Sequence, residues 1–331
     1  MAGGHATADD YEWESWNDLA TNNNADRSRT AVEAQTGYCA ATLDVLWAGA
    51  MKYFIKIPGP RRRHGGRSFK TRTRQMWRAQ HYFYILLMYI HIYPPEDNMI
   101  DTLETARCKV TRTGFYKDIL PLAQKWSLYV NHIYWEDRLK FDNHHPMFPA
   151  SHTAIWDSTC VRVQRSPDWT LARNVVNGHY DFPCFLVLIA ITFTGELVFG
   201  SELFRVNSYD AHTFMDTRHL HPQHPFERNL GDGHFRTAPQ FDTPFQKVAG
   251  QLLSAVELIW NKWLQLPRSR VEHLNTVVKN HRMFGGEPFR GWAEQLALFT
   301  KITLHATAVE LRSRRARDGP RYAGYGWWPH S

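Results

Sequence analysis

Three carboxylates in the second half of the chain have the types and the settings that a metal-dependent catalytic site requires. Asp157 ends an apolar, β-prone stretch at residues 153–156, and Asp232 closes a second short stretch of this kind. Glu272 lies in a segment with helical character. We expect two strand ends and a helix to bring the three acids together around two divalent cations. Two cations about 3.5–4 Å apart can stabilise the entering and leaving oxygens of a phosphodiester displacement.

The segment around Glu272 has two faces of different character. Its polar face, at intervals of three or four residues, is formed by Arg268, Glu272, Asn275 or Thr276, and Lys279. Its apolar face is formed by Val271, Leu274 and Val278. Because residues three and four apart share a helix face, this pattern predicts a helix that packs on a sheet and presents Glu272 to a cleft. A solvated surface helix is the alternative.

The motifs around the three acids resemble those of the DDE superfamily of transposase-derived endonucleases, and specifically its Harbinger-like branch. Residues 156–159 (WDST) resemble the family's I-D-x-T, and residues 231–235 (GDGHF) resemble G-D-x-G-Y/F. Residues 268–279 contain R-x-x-V-E with a lysine seven residues after the glutamate. The likeness covers roughly residues 82–285, and the order and spacing of the motifs make it far more specific than any single carboxylate.

This resemblance implies an α/β fold: a ribonuclease H-like mixed sheet with flanking helices, preceded by a small all-helical, helix-turn-helix-like region. It also implies that Asp157, Asp232 and Glu272 are catalytic and bind Mg²⁺ or Mn²⁺, cations that prefer carboxylate oxygen. Arg268 and Lys279 are candidates for holding DNA phosphate or for stabilising developing charge, and orientation of Glu272 is the alternative role of Arg268. The implied reaction is metal-dependent cleavage of DNA at transposon ends in the nucleus, and strand transfer as a second step stays open. The implied partners are DNA and a Myb-like DNA-binding protein, and homo-oligomer formation stays open.

Three alternatives concern the function, the second metal ligand and the histidines at 219–224. A protein recruited by its host could keep this fold and bind DNA without cutting it. Asp210 is the rival of Asp232 as the second metal ligand, but its position suits the first turn of a helix, where a carboxylate favours exposed backbone N–H groups. His219, His221 and His224 fit no usual zinc spacing, and the prolines between them predict a loop.

The composition along the chain predicts five parts. These are an acidic disordered tail (1–35), a basic connector (36–78), a helical, helix-turn-helix-like region (79–145), the catalytic domain (146–285), and a C-terminal helix with a basic and aromatic tail (286–331). The first part has too few aliphatic residues to offset the entropy cost of ordering.

Basic residues concentrate between Lys52 and Arg78, where ten lysines and arginines occur without an acidic residue. A solvated connector and a phosphate-gripping arm are equally compatible with this charge. Arg61, Arg62 and Arg63 are the DNA-binding candidates here, and the same short basic run is typical of a nuclear-import patch.

The segment from Val110 to Lys117 resembles the turn and second helix of a helix-turn-helix. Thr111 is expected to cap that helix, and Arg112 and Lys117 are candidates for contacts with phosphates or base edges. A small helical bundle that braces the catalytic domain is the alternative, because a glycine and a proline in this segment do not suit a long recognition helix.

The predicted catalytic domain contains a clear hairpin signal. Residues 185–193 form a continuous apolar run, as in a strand buried on both faces, and 194–195 form a turn before a second strand at 196–206. Residues 209–219 predict a short helix. Strand, hairpin, helix, strand and final helix is the order that the resemblance implies.

Composition sets weaker limits. The net charge of +7 and the isoelectric point near 9.2 favour polyanionic partners. The four cysteines lack the CxxC spacing of zinc fingers, which favours a reducing compartment. The longest apolar stretches, 83–93 and 185–193, are about half the ~20 residues that span a bilayer, so no membrane partner is expected. The acidic, polar first residues do not predict a secretory signal peptide.

Overall fold

The computed structural model describes residues 15–16, 31–54, 69–95, 103–105, 108–130, 133–145, 147–165, 175–176, 182–206 and 209–318. The chain divides into two compact units, Met1–Val130 and Asn131–Ser331. The division therefore falls before the boundary at 145 that the composition predicts. Within the described residues, no helix combines the length and apolar character that a membrane span needs.

Helices dominate the described part of the first unit. They are α1 (Ala31–Thr36), α2 (Ala40–Phe54), α3 (Phe69–Ile92), α4 (Arg112–Gly114) and α5 (Leu120–Ser127). A short antiparallel pair, β1 (Glu104–Thr105) and β2 (Cys108–Lys109), lies between α3 and α4. The core is aromatic, since the ring of Phe83 lies 5.3 Å from those of Trp47 and Trp126.

The predicted connector differs from the structure over 36–54. Helix α2 fills most of that stretch and buries residues that recur every three or four positions, Leu43, Leu46, Trp47, Ala50 and Phe54. This spacing is that of an amphipathic helix packed on a core, and the charge run that follows it obscured the pattern. Arg61, Arg62 and Arg63 lie outside the described residues.

The predicted cap at Thr111 is confirmed, because its hydroxyl accepts a hydrogen bond from the backbone N–H of Gly114 at 3.1 Å. The helix continues from α4 through a π-helical turn, Phe115–Ile119, into α5. Phe115 is buried and its ring lies 4.4 Å from that of Tyr89 on α3. Thus the segment packs against α3 on one side and exposes Arg112 and Lys117 on the other.

The second unit is built on a mixed six-stranded sheet. Its strands are β3 (His152–Arg162), β4 (Cys184–Ile191), β5 (Leu197–Gly200), β6 (Phe204–Arg205), β7 (Arg228–Leu230) and β8 (Phe241–Asp242). The order is β5-β4-β3-β7-β8, with β6 also paired to β4. Strand β3 is antiparallel to β4 and parallel to β7, and β7 is parallel to β8.

Helices flank this sheet. They are α6 (Asp210–Thr217), α7 (Ala255–Lys279), α8 (Arg282–Gly285) and α9 (Ala293–Asp318). The mixed α/β class is as predicted, and α6 lies within the helix expected at 209–219. Helix α7 contacts β3, and α9 contacts β5. A Cβ on Gly200 would lie only 2.5 Å from Leu304, so this glycine lets α9 approach β5 closely.

The predicted hairpin is confirmed, with a correction to its second strand. Gly195 has φ of 85° and donates its N–H to the carbonyl of Thr192 at 2.9 Å, which closes the turn. The second strand is divided into β5 and β6 around Ser201. The Ser201 hydroxyl accepts the N–H of Leu188 at 2.8 Å, so a side chain supplies the hydrogen-bond acceptor there.

The two faces of β3 contact different helices because side chains alternate along a strand. Trp156 points towards α6, and its ring lies 4.9 Å from that of Phe214. Asp157 points the other way and is contacted by Asn275 of α7. On α7, Val271, Leu274 and Val278 are buried, which confirms the predicted apolar face.

Candidate functional site

Asp157 lies within β3, and Asp232 follows the end of β7, the parallel strand beside β3. Ile155 of β3 is aligned with Leu230 of β7, and each acid follows two residues later. The backbone of Asp232 is extended, with φ of −81° and ψ of −174°, so it continues the direction of β7 past the strand's end. Because side chains two residues apart share a face, the two carboxylates lie on the same side of the sheet.

The sequence setting of Asp157 predicted a strand end, and this prediction is wrong because Asp157 lies within β3. Strand β3 continues to Arg162, and its pairing with β4 runs without interruption from Ile155 to Arg162. The polar residues at 157–159 resemble the end of a strand in sequence. The strand continues because its backbone is paired with that of the apolar strand β4. Asp157 is therefore held within the sheet by its pairing with Ile189 of β4.

The electrostatics place the two acids close together. The pKa of Asp157 rises to about 7, first because the carboxyl is buried and second because the Asp232 carboxylate is nearby. The charge of Asp210 raises the pKa further, whereas the hydrogen bond from Ser158 and the charge of Arg268 lower it. Carboxylates that repel one another in this way are stabilised by a cation placed between them.

Hydrogen bonds fix both carboxylates. Asp157 Oδ1 accepts from the backbone N–H of Ser158 at 2.9 Å, and Oδ2 accepts from Nδ2 of Asn275 at 2.8 Å. Asp232 Oδ1 accepts from the N–H of His234 at 2.8 Å and so caps the 3-10 turn Gly233–Phe235. Each acid thus has one oxygen held by its own backbone segment.

Glycine is needed immediately before Asp232. A Cβ at Gly231 would lie 2.7 Å from the ring of Phe235 and 2.8 Å from that of Phe241. These rings stack with centroids 4.4 Å apart beneath the turn. The G-D motif therefore has a packing reason, since the backbone carrying Asp232 runs directly over two aromatic rings.

Glu272 lies at the rim of the site. Its side chain is 64% exposed, and its carboxylate oxygen is 4.0 Å from Nη2 of Arg268. On α7 the residue that touches Asp157 is Asn275, three positions later and about 4.5 Å further along the helix axis. Among the described residues, no three His, Cys, Asp or Glu side chains converge closely enough to hold a metal ion.

The two basic residues of the motif lie on either side of Asn275. The charge of Arg268 acts on Asp157, as its effect on the pKa shows. Lys279 is exposed at the end of α7, and its charge acts on the Cys160 thiol. That thiol has its pKa lowered to about 6, chiefly by a hydrogen bond with Cys184. Cys160 and Asp157 point to opposite faces of β3, so Lys279 acts on Cys160 by charge through the strand.

Asp210 lies next to the acid pair but belongs to the opposite face of β3. It is the first residue of α6, as predicted, and is buried. Its carboxylate accepts a hydrogen bond from the Ser158 hydroxyl at 3.1 Å. Since Ser158 and Asp157 point to opposite faces, Asp210 acts on Asp157 by charge through the strand rather than by sharing its face.

The histidines near 219–224 do not form a zinc site. His221 is buried against the rings of Trp156 and Phe214 at 4.8 and 4.7 Å, and burial lowers its pKa to about 4. Its Nε2 lies 3.0 Å from the Thr217 hydroxyl. His219 is exposed and lies in the 3-10 turn Arg218–Leu220, whereas His221 and His224 lie in the segment that follows this turn.

The donor set suits a hard divalent cation. It consists of the carboxylates of Asp157 and Asp232 and the amide of Asn275, all of which offer oxygen. The Oδ1 atom of Asn275 is buried and has no hydrogen-bond partner among the residues that the structure describes. Asn275 is the site residue that sequence reasoning missed, although it lies on the predicted polar face of α7.

The function of this site rests on its geometry alone. Comparison with protein-family models, curated proteins and solved structures gives no match for this chain.

Proposed function

We propose that the second unit is a divalent-metal-dependent DNA endonuclease of the transposase type, with a ribonuclease H-like fold, that cleaves phosphodiester bonds at transposon ends. The observation that carries the proposal is the placement of Asp157 within β3 and of Asp232 just past the end of the adjacent parallel strand β7, each two residues after the aligned pair Ile155 and Leu230. The order of strand β3, hairpin β4–β5, helix α6, strand β7 and helix α7 supports it further, because the motifs imply this order.

Asp157 and Asp232 would hold Mg²⁺ or Mn²⁺. Bound divalent cations activate an attacking oxygen and neutralise charge on the leaving oxygen. Glu272 would complete the site for one ion. Its side chain is mostly exposed, so a rotation towards Asp157 sacrifices little packing.

The cationic face of α7 would hold the DNA. The charge of Arg268 lowers the pKa of Asp157, and its Nη2 lies 4.0 Å from the carboxylate of Glu272. Because Arg268 acts on both acids, it is suited to bind a phosphate next to the scissile bond. Lys279 would contact a phosphate further along β3. Charge-assisted bonds from these residues position a backbone without reading its sequence.

The remaining partners follow from the same proposal. Arg112, Lys117 and the run Arg61, Arg62 and Arg63 would add phosphate contacts from the first unit. A Myb-like protein would supply end recognition, and the site of action would be the nucleus. Homo-oligomer formation is compatible with this proposal.

A nicking assay tests the proposal. Supercoiled plasmid carrying transposon ends is incubated with the full chain in Mg²⁺, Mn²⁺ or EDTA. We expect nicking with either metal and none in EDTA, and we expect Asp157→Asn to abolish it. Glu287→Gln is the matched control, because Glu287 is an exposed carboxylate 3.3 Å from Arg290 and outside the acid pair. Metal-independent nicking, or nicking by Asp157→Asn at the parent rate, would contradict the proposal.

A non-catalytic DNA-binding protein is the second candidate. The observation that favours it is the position of Glu272, which pairs with Arg268 at the rim instead of touching Asp157. If the parent chain binds transposon-end DNA but nicks it with neither metal, even with the Myb-like partner added, this second function is supported.

A further inference from the structure

The amide of Asn275 is only half satisfied. Its Nδ2 donates to Oδ2 of Asp157 at 2.8 Å, whereas its Oδ1 is buried and has no hydrogen-bond partner in the described part of the chain. Buried side-chain oxygens are nearly always partnered, because leaving one unpaired costs free energy. The amide of Asn275 thus has an oxygen that can accept a further bond, and it lies beside the Asp157 carboxylate that Asp232 repels.

An amide can exchange its two ends without displacing the helix that carries it. The oxygen and nitrogen have nearly the same shape, so a half-turn of the terminal amide of Asn275 swaps Oδ1 and Nδ2. The oxygen would then lie beside Oδ2 of Asp157. Two oxygens in that position repel each other unless a proton on Asp157 or a cation lies between them, and a cation there would also be attracted by the charge of Asp232.

We propose that Asn275 is an oxygen ligand of the cation held by Asp157 and Asp232, and that its amide turns over when the cation binds. This inference rests on the proposed function and names a ligand for the same site. In the metal-free protein, Asn275 offsets the charge of Asp157 through Nδ2. With the cation bound, it contributes Oδ1.

The chemistry of the ligand set supports this assignment. Two carboxylates and an amide supply only hard oxygen donors, which Mg²⁺ and Mn²⁺ prefer. A neutral amide adds a donor without adding a negative charge to a pair in which burial and repulsion already act on Asp157. Glu272, at 64% exposure, then lies outside this inner set and nearer to solvent and substrate.

Binding of Mn²⁺ alone to the full chain, without DNA, tests the inference. Free Mn²⁺ is followed by its electron paramagnetic resonance signal for the parent, Asn275→Leu and Asn275→Asp. We expect Asn275→Leu to weaken Mn²⁺ binding about tenfold or more, a loss typical of residues that support a metal site. We expect Asn275→Asp to bind at least as tightly as the parent, because it retains an oxygen ligand. Thr276→Ala, an exposed neighbour on α7, is the matched control and should bind like the parent.

The variant Asn275→Asp separates a ligand from a positioning residue. If Asn275 only orients Asp157 through Nδ2, the introduced carboxylate cannot donate that bond and would repel Asp157, so Asn275→Asp should bind Mn²⁺ more weakly than Asn275→Leu. That ranking, or parent-like binding by Asn275→Leu, overturns the inference. If one variant does not fold, judged by circular dichroism without metal, the other still decides the question by its affinity relative to the parent.

Asp157→Asn distinguishes this inference from the proposed function. Loss of Mn²⁺ binding in Asp157→Asn with unchanged binding in Asn275→Leu removes Asn275 from the site and leaves the acid pair in place. Unchanged binding in both variants, or no binding by the parent, removes the metal site itself and with it the proposed nuclease.

Discussion

The carboxylate of Asp232, two residues past the end of the neighbouring parallel strand β7, raises the pKa of Asp157. The register places Ile155 opposite Leu230, and each acid follows two residues later, so their proximity follows from the sheet and from the turn that comes directly after β7. A site held in this way is pre-organised: the repulsion between the acids is present before any cation arrives, and binding a cation relieves it.

This relationship predicts the effect of Asp232→Asn. The substitution preserves size but removes the like charge, so the pKa of Asp157 should fall by about one pH unit. It should remain above the ordinary value, since burial is the larger cause. Carboxyl carbon chemical shifts of the metal-free protein, titrated with pH, measure the change.

Asp142→Asn is the control for that titration, because Asp142 is exposed and is not among the residues that affect Asp157. An unchanged pKa of Asp157 in Asp232→Asn would show that the two carboxylates do not interact.

The raised pKa also predicts how stability depends on pH. The native state binds a proton at Asp157 up to about pH 7, whereas the unfolded chain releases it near 3.8. Native protein therefore holds more protons between these values, and the free energy of unfolding should fall as pH rises through them. The slope from one such group is at most about 1.4 kcal/mol per pH unit. Urea unfolding of the full chain in EDTA, repeated at several pH values, measures this slope.

The variant Asp157→Asn isolates the contribution of Asp157 to the pH dependence of stability from the contributions of other titrating residues. The variant should lose the Asp157 part of the slope, so its stability relative to the parent should increase from about pH 5 to about pH 7. A difference between variant and parent that is independent of pH would show that Asp157 is ionised throughout this range.

Local patterns predicted the elements whose residues repeat regularly. The apolar stripe of α7, the turn at Gly195 and the cap at Thr111 each depend on a few residues close in sequence, and the structure confirms all three. Helix α2 was missed because the basic run that begins near its end dominated the composition of that stretch.

The details of the site depended on contacts distant in sequence. Asp157 lies within β3 because β4, a separate segment later in the chain, supplies paired backbone through Arg162. Likewise, the periodicity of α7 assigned Glu272 and Asn275 to one face but could not fix which of them points at Asp157. That choice depends on the rotation of the helix on the sheet, which is set by the packing of Val271, Leu274 and Val278.

The basic run at Arg61, Arg62 and Arg63 yields a prediction about salt dependence. If these residues contact phosphates, replacing all three with alanine should weaken binding to DNA of any sequence. Each lost contact should reduce the slope of log affinity against log salt by about 0.9. Fluorescence anisotropy with a labelled duplex at several salt concentrations measures this slope.

The salt slope of the triple variant is compared with that of the double variant Arg112→Ala and Lys117→Ala. These two exposed side chains lie on a described helix of the same unit, and the proposed phosphate contacts predict a reduced slope for this variant also. A parent-like slope in the triple variant would identify residues 61–63 as part of a solvated connector.

The substitution Glu272→Gln tests whether Glu272 is needed for metal-dependent cleavage. The substitution keeps size and hydrogen-bonding capacity but removes the charge that a cation needs. Its exposed position predicts normal folding, and the loss of an acid near bound phosphate predicts DNA binding in EDTA at least as tight as that of the parent. Metal-dependent nicking should fall by roughly 10²-fold or more if Glu272 completes the site.

The control for this variant must be a carboxylate on the same helix and away from the acid pair. Glu257 meets this condition, because it lies in the first turn of α7, where it forms a capping box with Ser254. Glutamine preserves that box, so Glu257→Gln should fold and nick like the parent. If Glu272→Gln nicks as fast as Glu257→Gln while Asp157→Asn is inactive, Glu272 is not a ligand, and the acid pair cuts with help from another residue of α7.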